Sequence, residues 1–149
     1  MTTLHATTTT TRPVGIDPRG PRFSAAITAI VLSSALVQAS PALLALQAIV
    51  FAVGVVAGPA QQPYATIYRR LIRPRLSPLA HLEDPAAPRF AQACGLAFSL
   101  IGLLGFALGA EWLALGAIGF ALAAAFLNAV FDFCIGCEIY LRVQRLRTA

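Results

Sequence analysis

Charge is scarce in this chain of 149 residues, and the scarcity excludes most soluble folds. Charged residues make up 11% of the sequence and apolar residues 58%, whereas a soluble domain averages about 25% charged and about 45–50% apolar residues. Too few polar side chains remain to cover a water-exposed surface. The high hydrophobicity also excludes a disordered chain, which combines low hydrophobicity with high net charge. The composition therefore predicts a membrane protein of one domain.

Four stretches contain no charge at all, at residues 23–39, 42–57, 90–110 and 112–131. Crossing about 30 Å of hydrocarbon takes about 20 helical residues, with a range of about 17–25. The last two stretches satisfy this length, and the shorter first two require a nearly upright helix or a locally thinned bilayer. The sequence thus predicts an all-α, polytopic membrane protein with four transmembrane helices in a bundle, forming one membrane domain over residues 23–147.

Lysine is absent, so arginine supplies all 11 basic residues, against 6 acidic ones. The arginines precede the first stretch, separate the second from the third and follow the fourth. They are Arg12, Arg19, Arg22, Arg69, Arg70, Arg73, Arg75, Arg89, Arg142, Arg145 and Arg147. With four membrane helices all of them fall on one side, which the positive-inside rule identifies as cytoplasmic. We therefore expect a multi-pass protein of the bacterial inner (plasma) membrane with both termini in the cytoplasm.

The same distribution bears on the partners of the protein. Nucleic-acid binding would need the arginines to cluster on a soluble face, so the lipid bilayer is the expected partner and nucleic acid is not. Gly54 with Gly58, and Gly105 with Gly109, are small-xxx-small pairs that let helices approach closely. They favour packing within the bundle, and a homo-oligomer is the alternative.

Two segments outside the apolar stretches have an informative composition. Residues 1–22 carry seven threonines within the first eleven positions, which predicts a disordered tail; cleavage of a signal peptide within 1–39 is the alternative. Residues 64–76 place Tyr64, Tyr68 and Leu71 on one helical face with arginines opposite. We expect this amphipathic, interfacial segment to lie in the headgroup layer, where it anchors the loop or docks a cytoplasmic partner.

The candidate chemistry lies in a C-x-x-C motif formed by Cys134 and Cys137, a spacing used for redox reactions and for metal binding. If a helix begins here, Cys134 is its N-cap and the helix N-terminus stabilises its thiolate. Asp132 then serves as a proton acceptor, which depends on a helix break at Gly136. If the helix runs straight through, the two sulfurs share one face with Glu138 near Cys134.

The predicted topology places Cys94, about one turn into the third membrane helix, at the same cytoplasmic end as Cys134 and Cys137. The cytosol is reducing, so a dithiol there is expected to be catalytic, sulfur-carrying or metal-bound. A metal site needs about four ligands, and the chain adds only His5 and His81 to its three cysteines. We expect no metal site and no cofactor. A site shared by two chains, and small cysteines simply packing at a helix end, remain as alternatives.

Four segments, in order along the chain, resemble a known family. They are DPRGPRF at 17–23, YRRLIRPRL at 68–76, EDP and RFAQ within 83–92, and FCIGCE at 133–138. Over about residues 16–141 the chain is similar to the bacterial membrane proteins grouped as domain of unknown function 4395. The resemblance implies a four-span membrane protein, and Cys134 and Cys137 match the family motif F-C-x-G-C, of which Cys94 is not a part. Family members are often encoded near thioredoxin-like and rhodanese-like proteins, which implies thiol or sulfur chemistry.

The functional hypothesis from the sequence is a thiol–disulfide or sulfur relay at the cytoplasmic face, with a soluble thioredoxin-like or rhodanese-like partner. Cys134 attacks as the thiolate and Cys137 resolves the mixed disulfide, with Asp132, Glu138 and Cys94 as candidate helpers. The alternative is a non-enzymatic membrane carrier or assembly subunit whose cysteines are structural or bind metal. No charge lies within a predicted span, so no ion path is indicated.

Overall fold

The computed structural model describes residues 15–79 and 81–149, and their regular structure is helical. The longer helices are α1 (Arg19–Val37), α2 (Pro41–Val56), α3 (Pro63–Ile67), α4 (Ala86–Ala107), α5 (Glu111–Phe131) and α6 (Ile135–Thr148). Single turns of 3-10 helix lie at Pro59–Gln61 and Arg73–Arg75, and a π-helical turn lies at Tyr68–Ile72. Within the described residues there is no β-strand, only an isolated bridge between Ile16 and Glu83. The all-α prediction is therefore confirmed for this part of the chain.

Three of these helices, α1, α4 and α5, are long and apolar enough to cross a membrane, and α2 is apolar but shorter. Helices α1 and α4 each begin four residues before the predicted charge-free stretch. The reason is local, because an aspartate precedes each helix and its Oδ1 accepts a backbone N–H. Asp17 accepts from Arg19 at 2.9 Å and Asp84 accepts from Ala86 at 2.9 Å. Most of the predicted tail, residues 1–22, lies outside the described residues, but its last residues belong to α1.

The four apolar helices form two hairpins of the same construction. In each hairpin one residue of the turn has a positive φ, 44° at Ala39 and 70° at Gly109. The residue after it donates its N–H back into the first helix, from Ser40 to Ala35 O at 3.0 Å and from Ala110 to Gly105 O at 2.8 Å. The turn between α1 and α2 thus has the same hydrogen bonding as the turn between α4 and α5.

The two hairpins begin with the same sequence, D-P-x-x-P-R-F, at 17–23 and 84–90. In each copy the arginine binds the end of the other hairpin. Arg22 donates from Nε to Ala129 O at 3.0 Å at the end of α5, and Arg89 donates from Nε to Val55 O at 2.6 Å at the end of α2. These bonds satisfy carbonyl groups that a helix leaves without partners at its last turn.

Further pairs of contacts follow the same repetition. Phe23 packs on Tyr68 with ring centroids 5.7 Å apart, and Phe90 packs on Tyr140 with centroids 5.8 Å apart. Ahead of the two hairpins, Ile16 and Glu83 exchange both backbone hydrogen bonds at 2.9 Å. The chain therefore contains two structural repeats, each with the same motif and equivalent contacts.

All these contacts lie at one end of the bundle, which we call the arginine end. It comprises the beginnings of α1 and α4, the ends of α2 and α5, and the segments that follow α2 and α5. Around the bundle α1 packs against α5 and α2, and α4 packs against α2 and α5. The two repeats thus hold each other through all four apolar helices.

The interior of the bundle is small and its outer surface is apolar. Leu32, Leu44, Ile118 and Ala121 form the buried core cluster. Large apolar side chains instead face outward, among them Ile30, Ile49, Trp112 and Phe120, each more than half exposed. A water-soluble monomer rarely exposes so much contiguous apolar surface. The helix lengths and this surface together identify a membrane protein.

Buried polar groups join α1, α2 and α3. Gln47, fully buried, donates from Nε2 to Thr28 Oγ1 at 3.3 Å, and its Oε1 accepts from Tyr64 OH at 3.0 Å. A buried amide is stable in an apolar interior only when it is hydrogen-bonded. The network therefore fixes α3 against the first hairpin.

The segment at 64–76, expected to be one amphipathic helix, changes from α3 to the π-helical turn and then to a 3-10 turn. Its tyrosines face the protein. Tyr68 is 4% exposed and donates its hydroxyl to Asp17 Oδ2 at 3.1 Å. Burial raises the pKa of the Tyr68 phenol, Asp17 adds to the rise, and Arg19 and Arg73 oppose it. Leu71, in contrast, is 61% exposed, so the predicted apolar face is divided between the protein and its surroundings.

The two glycines of each predicted small-xxx-small pair have different roles. Gly54 and Gly105 lie in close helix contacts, where an added Cβ would be 2.9 Å from Gln92 Cγ and 2.7 Å from Ala114 N respectively. Gly58 and Gly109 have φ of 100° and 70° and end a helix. Only the first glycine of each pair therefore serves packing within the bundle.

Replacing Gly105 by Ala is expected to destabilise the protein by about 1–3 kcal/mol, because the new methyl group meets backbone atoms that cannot rotate away. Gly119→Ala is the matched control, since a Cβ at Gly119 meets nothing within 4 Å. Its effect should stay within about 0.5 kcal/mol. Thermal unfolding of the purified proteins in detergent measures both. Equal unfolding temperatures for the two variants would contradict the close α4–α5 contact.

Candidate functional site

The break between α5 and α6 creates the surroundings of the two cysteines. Helix α5 ends at Phe131, and Asp132 adopts a left-handed conformation with φ of 55°. Phe133 then donates its N–H back to Leu127 O at 3.3 Å. The sequence left open whether the helix breaks at Gly136; the break lies three to four residues earlier, and Gly136 is in the first turn of α6.

Cys134 is the N-cap residue of α6, as the sequence predicted for a helix that begins at the motif. Its backbone is extended, with φ of −88° and ψ of 100°, and its Sγ accepts the N–H of Cys137 at 3.3 Å. Its carbonyl accepts the N–H of Glu138 at 3.0 Å. The sulfur of Cys134 thus occupies the place of a capping oxygen, at the positive end of the helix dipole.

Cys134 and Cys137 are joined by a disulfide, with their Cα atoms 5.2 Å apart. The bridge links the N-cap to the first turn of the same helix and crosses only three positions of the sequence. In the dithiol form the same capping position would stabilise a thiolate on Cys134, because free N–H groups at a helix N-terminus lower a cysteine pKa. The pair therefore combines a short-range disulfide with a sulfur held at a helix N-terminus.

The disulfide is held against α4 by a close helix contact. A Cβ on Gly136 would lie 2.7 Å from both Cα and Cβ of Ala91, so any larger residue would push α6 away. The packing of Tyr140 on Phe90 continues the contact one turn further along α6. Because α4 is one of the long apolar helices, the first turn of α6 has a rigid support.

The candidate helpers lie in different surroundings. Asp132 is exposed in the connection before Cys134. Glu138, in the first turn of α6, has its Oε2 3.8 Å from Arg142 Nε in an exposed ion pair. Such a pair contributes little to stability. The carboxylate of Glu138 therefore points along α6 towards Arg142.

Cys94 is a half-buried free thiol on α4, one turn beyond Ala91. It is not bonded to the disulfide pair. Over residues 15–79 and 81–149, no three histidine, cysteine or carboxylate side chains come together as metal ligands. His5, considered as a ligand from the sequence, lies outside the described residues. The structure thus brings together Cys134 and Cys137 but assembles no larger cysteine cluster in its described part.

The sequence matches one family model over residues 16–145, which includes both repeats and the disulfide. That match spans most of the chain. The protein belongs to the family described as domain of unknown function (DUF4395). No curated protein and no solved structure matches the chain.

The residues that position the site were not evident from the sequence. Arg22 binds the last turn of α5 and so fixes where the connection to Cys134 starts. Phe90 and Ala91 support α6 from α4. The signal was present in the repeated D-P-x-x-P-R-F, because two copies of one motif predict two equivalent structural units. Only the fold reveals that each arginine binds the other unit.

Asp132 provides a test of this local geometry. A left-handed residue is accommodated best by glycine or asparagine and worst by a β-branched residue. We expect Asp132→Gly and Asp132→Asn to be at least as stable as the wild type, and Asp132→Val to be destabilised by about 1–2 kcal/mol. Thermal unfolding in detergent measures the order. A valine variant as stable as the glycine variant would mean that α5 and α6 form one continuous helix.

Proposed function

We propose that the protein is a membrane-bound thiol–disulfide relay in which Cys134 and Cys137 exchange electrons with a soluble thioredoxin-like partner. The observation that carries the proposal is the disulfide at the N-terminus of α6, where Cys137 N–H donates to Cys134 Sγ. This contact favours negative charge on Cys134, the sulfur that must act as nucleophile or leaving group. The family membership supports a shared site, because the match includes the motif.

The proposed reaction needs no reactant other than the two cysteines and a disulfide of the partner. In the reduced protein the Cys134 thiolate attacks a disulfide of the partner, and the partner's other sulfur leaves as a thiolate. Cys137, as a thiolate, then attacks Cys134 Sγ and releases the partner's second sulfur. Two thiols of this protein are oxidised to the Cys134–Cys137 disulfide while the partner's disulfide is reduced to a dithiol. In this scheme Asp132 and Glu138 are candidate acceptors for the protons.

The sulfur-carrying version uses the same residues with a rhodanese-like partner. The Cys134 thiolate attacks the outer sulfur of a persulfide on the partner, whose cysteine leaves as a thiolate. Cys134 then carries the persulfide, and attack by Cys137 on Cys134 Sγ releases hydrosulfide and forms the disulfide. The product distinguishes the two versions, because only the persulfide reaction releases hydrosulfide.

The small size of the disulfide loop supports a reactive role over a purely structural one. A disulfide stabilises a fold mainly by closing a loop in the unfolded chain, and the effect grows with loop length. Here only three positions separate the two cysteines, and both lie at the start of α6. The bridge connects no two helices. A structural or metal-binding role in a carrier or assembly subunit remains the competing proposal.

The proposed topology has all four apolar helices crossing the inner membrane, with the arginine end and both termini in the cytoplasm. The contacts of Arg22 with the end of α5 and of Arg89 with the end of α2 support a common end for these helices. The positive-inside rule then assigns that end to the cytoplasm. Helix α2, with 16 residues, would cross upright or in a thinned bilayer.

The relay predicts which variant traps its partner. Cys137→Ser should accumulate a mixed disulfide between Cys134 and a cytosolic protein, because the resolving thiol is missing. Cys134→Ser should accumulate none. Non-reducing electrophoresis and mass spectrometry of the adduct, from cells lysed in acid, measure both outcomes, and Cys94→Ser/Cys137→Ser shows whether the adduct forms without Cys94.

The competing structural role has a separate signature. In that case the double variant Cys134→Ser/Cys137→Ser would unfold at a clearly lower temperature than the wild type, and Cys137→Ser would carry no adduct. Stoichiometric zinc in the purified wild type, together with absence of the adduct, would identify a metal-binding role. Either result would overturn the relay.

The topology predicts the side from which the thiols are reached. After mild reduction, a thiol reagent that cannot cross membranes should label Cys134 and Cys137 in inverted inner-membrane vesicles but not in intact cells. A Cys94→Ser background removes the third thiol from the measurement, and the same background lacking Cys134 and Cys137 gives the blank. Labelling in intact cells would place the arginine end outside and refute the orientation.

A further inference from the structure

A second feature of the arginine end is independent of the disulfide. A cleft of about 540 Å³ lies between the start of α1, the π-helical turn and the loop that follows it. Arg69 and Arg73 contribute the cationic groups of its lining, Asp17 a carboxylate, and Leu76 and Pro78 part of an apolar wall. A neighbouring cavity of about 410 Å³ shares Asp17 and both arginines. The cleft thus combines two guanidinium groups with apolar surface.

Neither guanidinium group forms an ion pair with a carboxylate of the described residues. Among the described residues the recorded ion pair joins Arg142 to Glu138, far along the chain, and residues 1–14 contain no aspartate or glutamate. Asp17 lines the cleft, but its two oxygens already accept hydrogen bonds from Arg19 N and Tyr68 OH. Among the described residues, the lining therefore has two guanidinium groups against one carboxylate.

The secondary structure of this segment places the two arginines together. Arg69 lies in the π-helical turn and Arg73 directly follows it, one helical turn further along the chain. Isolated π-helical turns are uncommon and frequently occur at functional sites. The turn is anchored by Tyr68, which is buried against Phe23 and bonded to Asp17. The arginines are thus presented from a fixed backbone rather than from a free loop.

The position of the cleft relative to the bilayer indicates the kind of anion. Ile67 and Leu71, on the same segment, are 43% and 61% exposed, and the cleft lies where α1 begins and α2 ends. Apolar side chains beside guanidinium groups at the end of a membrane helix match the boundary between acyl chains and headgroups. A phosphate there can accept paired hydrogen bonds from an arginine.

We propose that this cleft binds the phosphate of an anionic phospholipid headgroup, held between Arg69 and Arg73, with the glycerol and upper acyl chain against the apolar wall. The site belongs to the first repeat, whereas the disulfide belongs to the second. Its existence does not depend on the relay.

The test compares two double variants of equal charge. Arg69→Gln/Arg73→Gln removes both cleft arginines, and Arg70→Gln/Arg75→Gln removes two arginines of the same segment that do not line the cleft. Full-length proteins in neutral detergent are titrated calorimetrically with short-chain phosphatidylglycerol, phosphatidylcholine of the same chain length, and inorganic phosphate. Thermal unfolding confirms that each variant is folded.

The wild type is expected to bind phosphatidylglycerol at least about tenfold more tightly than phosphatidylcholine, because the positive charge of the lining repels the choline cation. It should bind inorganic phosphate about tenfold more weakly too, because that ion has no acyl chain to contact the apolar wall. The cleft variant should lose this preference and the control should keep it within about threefold. If the cleft double variant does not fold, Arg69→Gln and Arg73→Gln are measured singly, and each should weaken binding by at least about threefold.

Three results would overturn the proposal. Equal weakening in the two double variants would mean that general surface charge attracts the lipid. The absence of any preference for phosphatidylglycerol in the wild type would mean that the arginines serve another partner, such as an acidic protein surface. Inorganic phosphate that binds as tightly as the lipid would show that the ligand is free phosphate and not a headgroup.

Discussion

The backbone carbonyl groups at the ends of α2 and α5 impose the constraint on which the rest of the molecule depends. A helix leaves its last carbonyls without intrahelical partners, and other groups must supply the missing hydrogen bonds. Arg22 and Arg89 satisfy them with charged hydrogen bonds from the first turns of α1 and α4. Because each arginine binds the other hairpin, the same bonds also set how the hairpins pack.

Because this interaction occurs twice, each hairpin is followed by a segment that packs on the first turn of a long helix. The two segments carry different candidate sites. After the first hairpin, Gln62 is the N-cap of α3, and Tyr68 packs on Phe23. After the second, Cys134 is the N-cap of α6, and Tyr140 packs on Phe90. In our proposals the segment after the second hairpin exposes a disulfide to a soluble partner, and the segment after the first binds a phospholipid through two arginines. Both sites lie at the arginine end, where a membrane protein meets water.

The helices themselves could be predicted because charge in an apolar bilayer is so costly. The four charge-free stretches locate α1, α2, α4 and α5 to within four residues at each end, and the largest differences arise because Arg22 and Arg89 lie inside a helix rather than before it. The cysteine site was predictable as far as the N-cap position of Cys134. The location of the helix break was not, because Gly136, a helix breaker by intrinsic preference, is required here for the close contact with Ala91.

Composition and spacing by themselves determined the class of protein, the number of apolar helices and the choice of Cys134 and Cys137 as the candidate site. These properties are local or additive, so they can be read along the chain. Only the tertiary structure decided that Arg22 and Arg89 bind helix ends, that Tyr68 faces Asp17 while Leu71 faces outward, and that Arg69 and Arg73 share a cleft. Each of these depends on contacts with residues distant in sequence, which form only when the helices and the segments between them pack together.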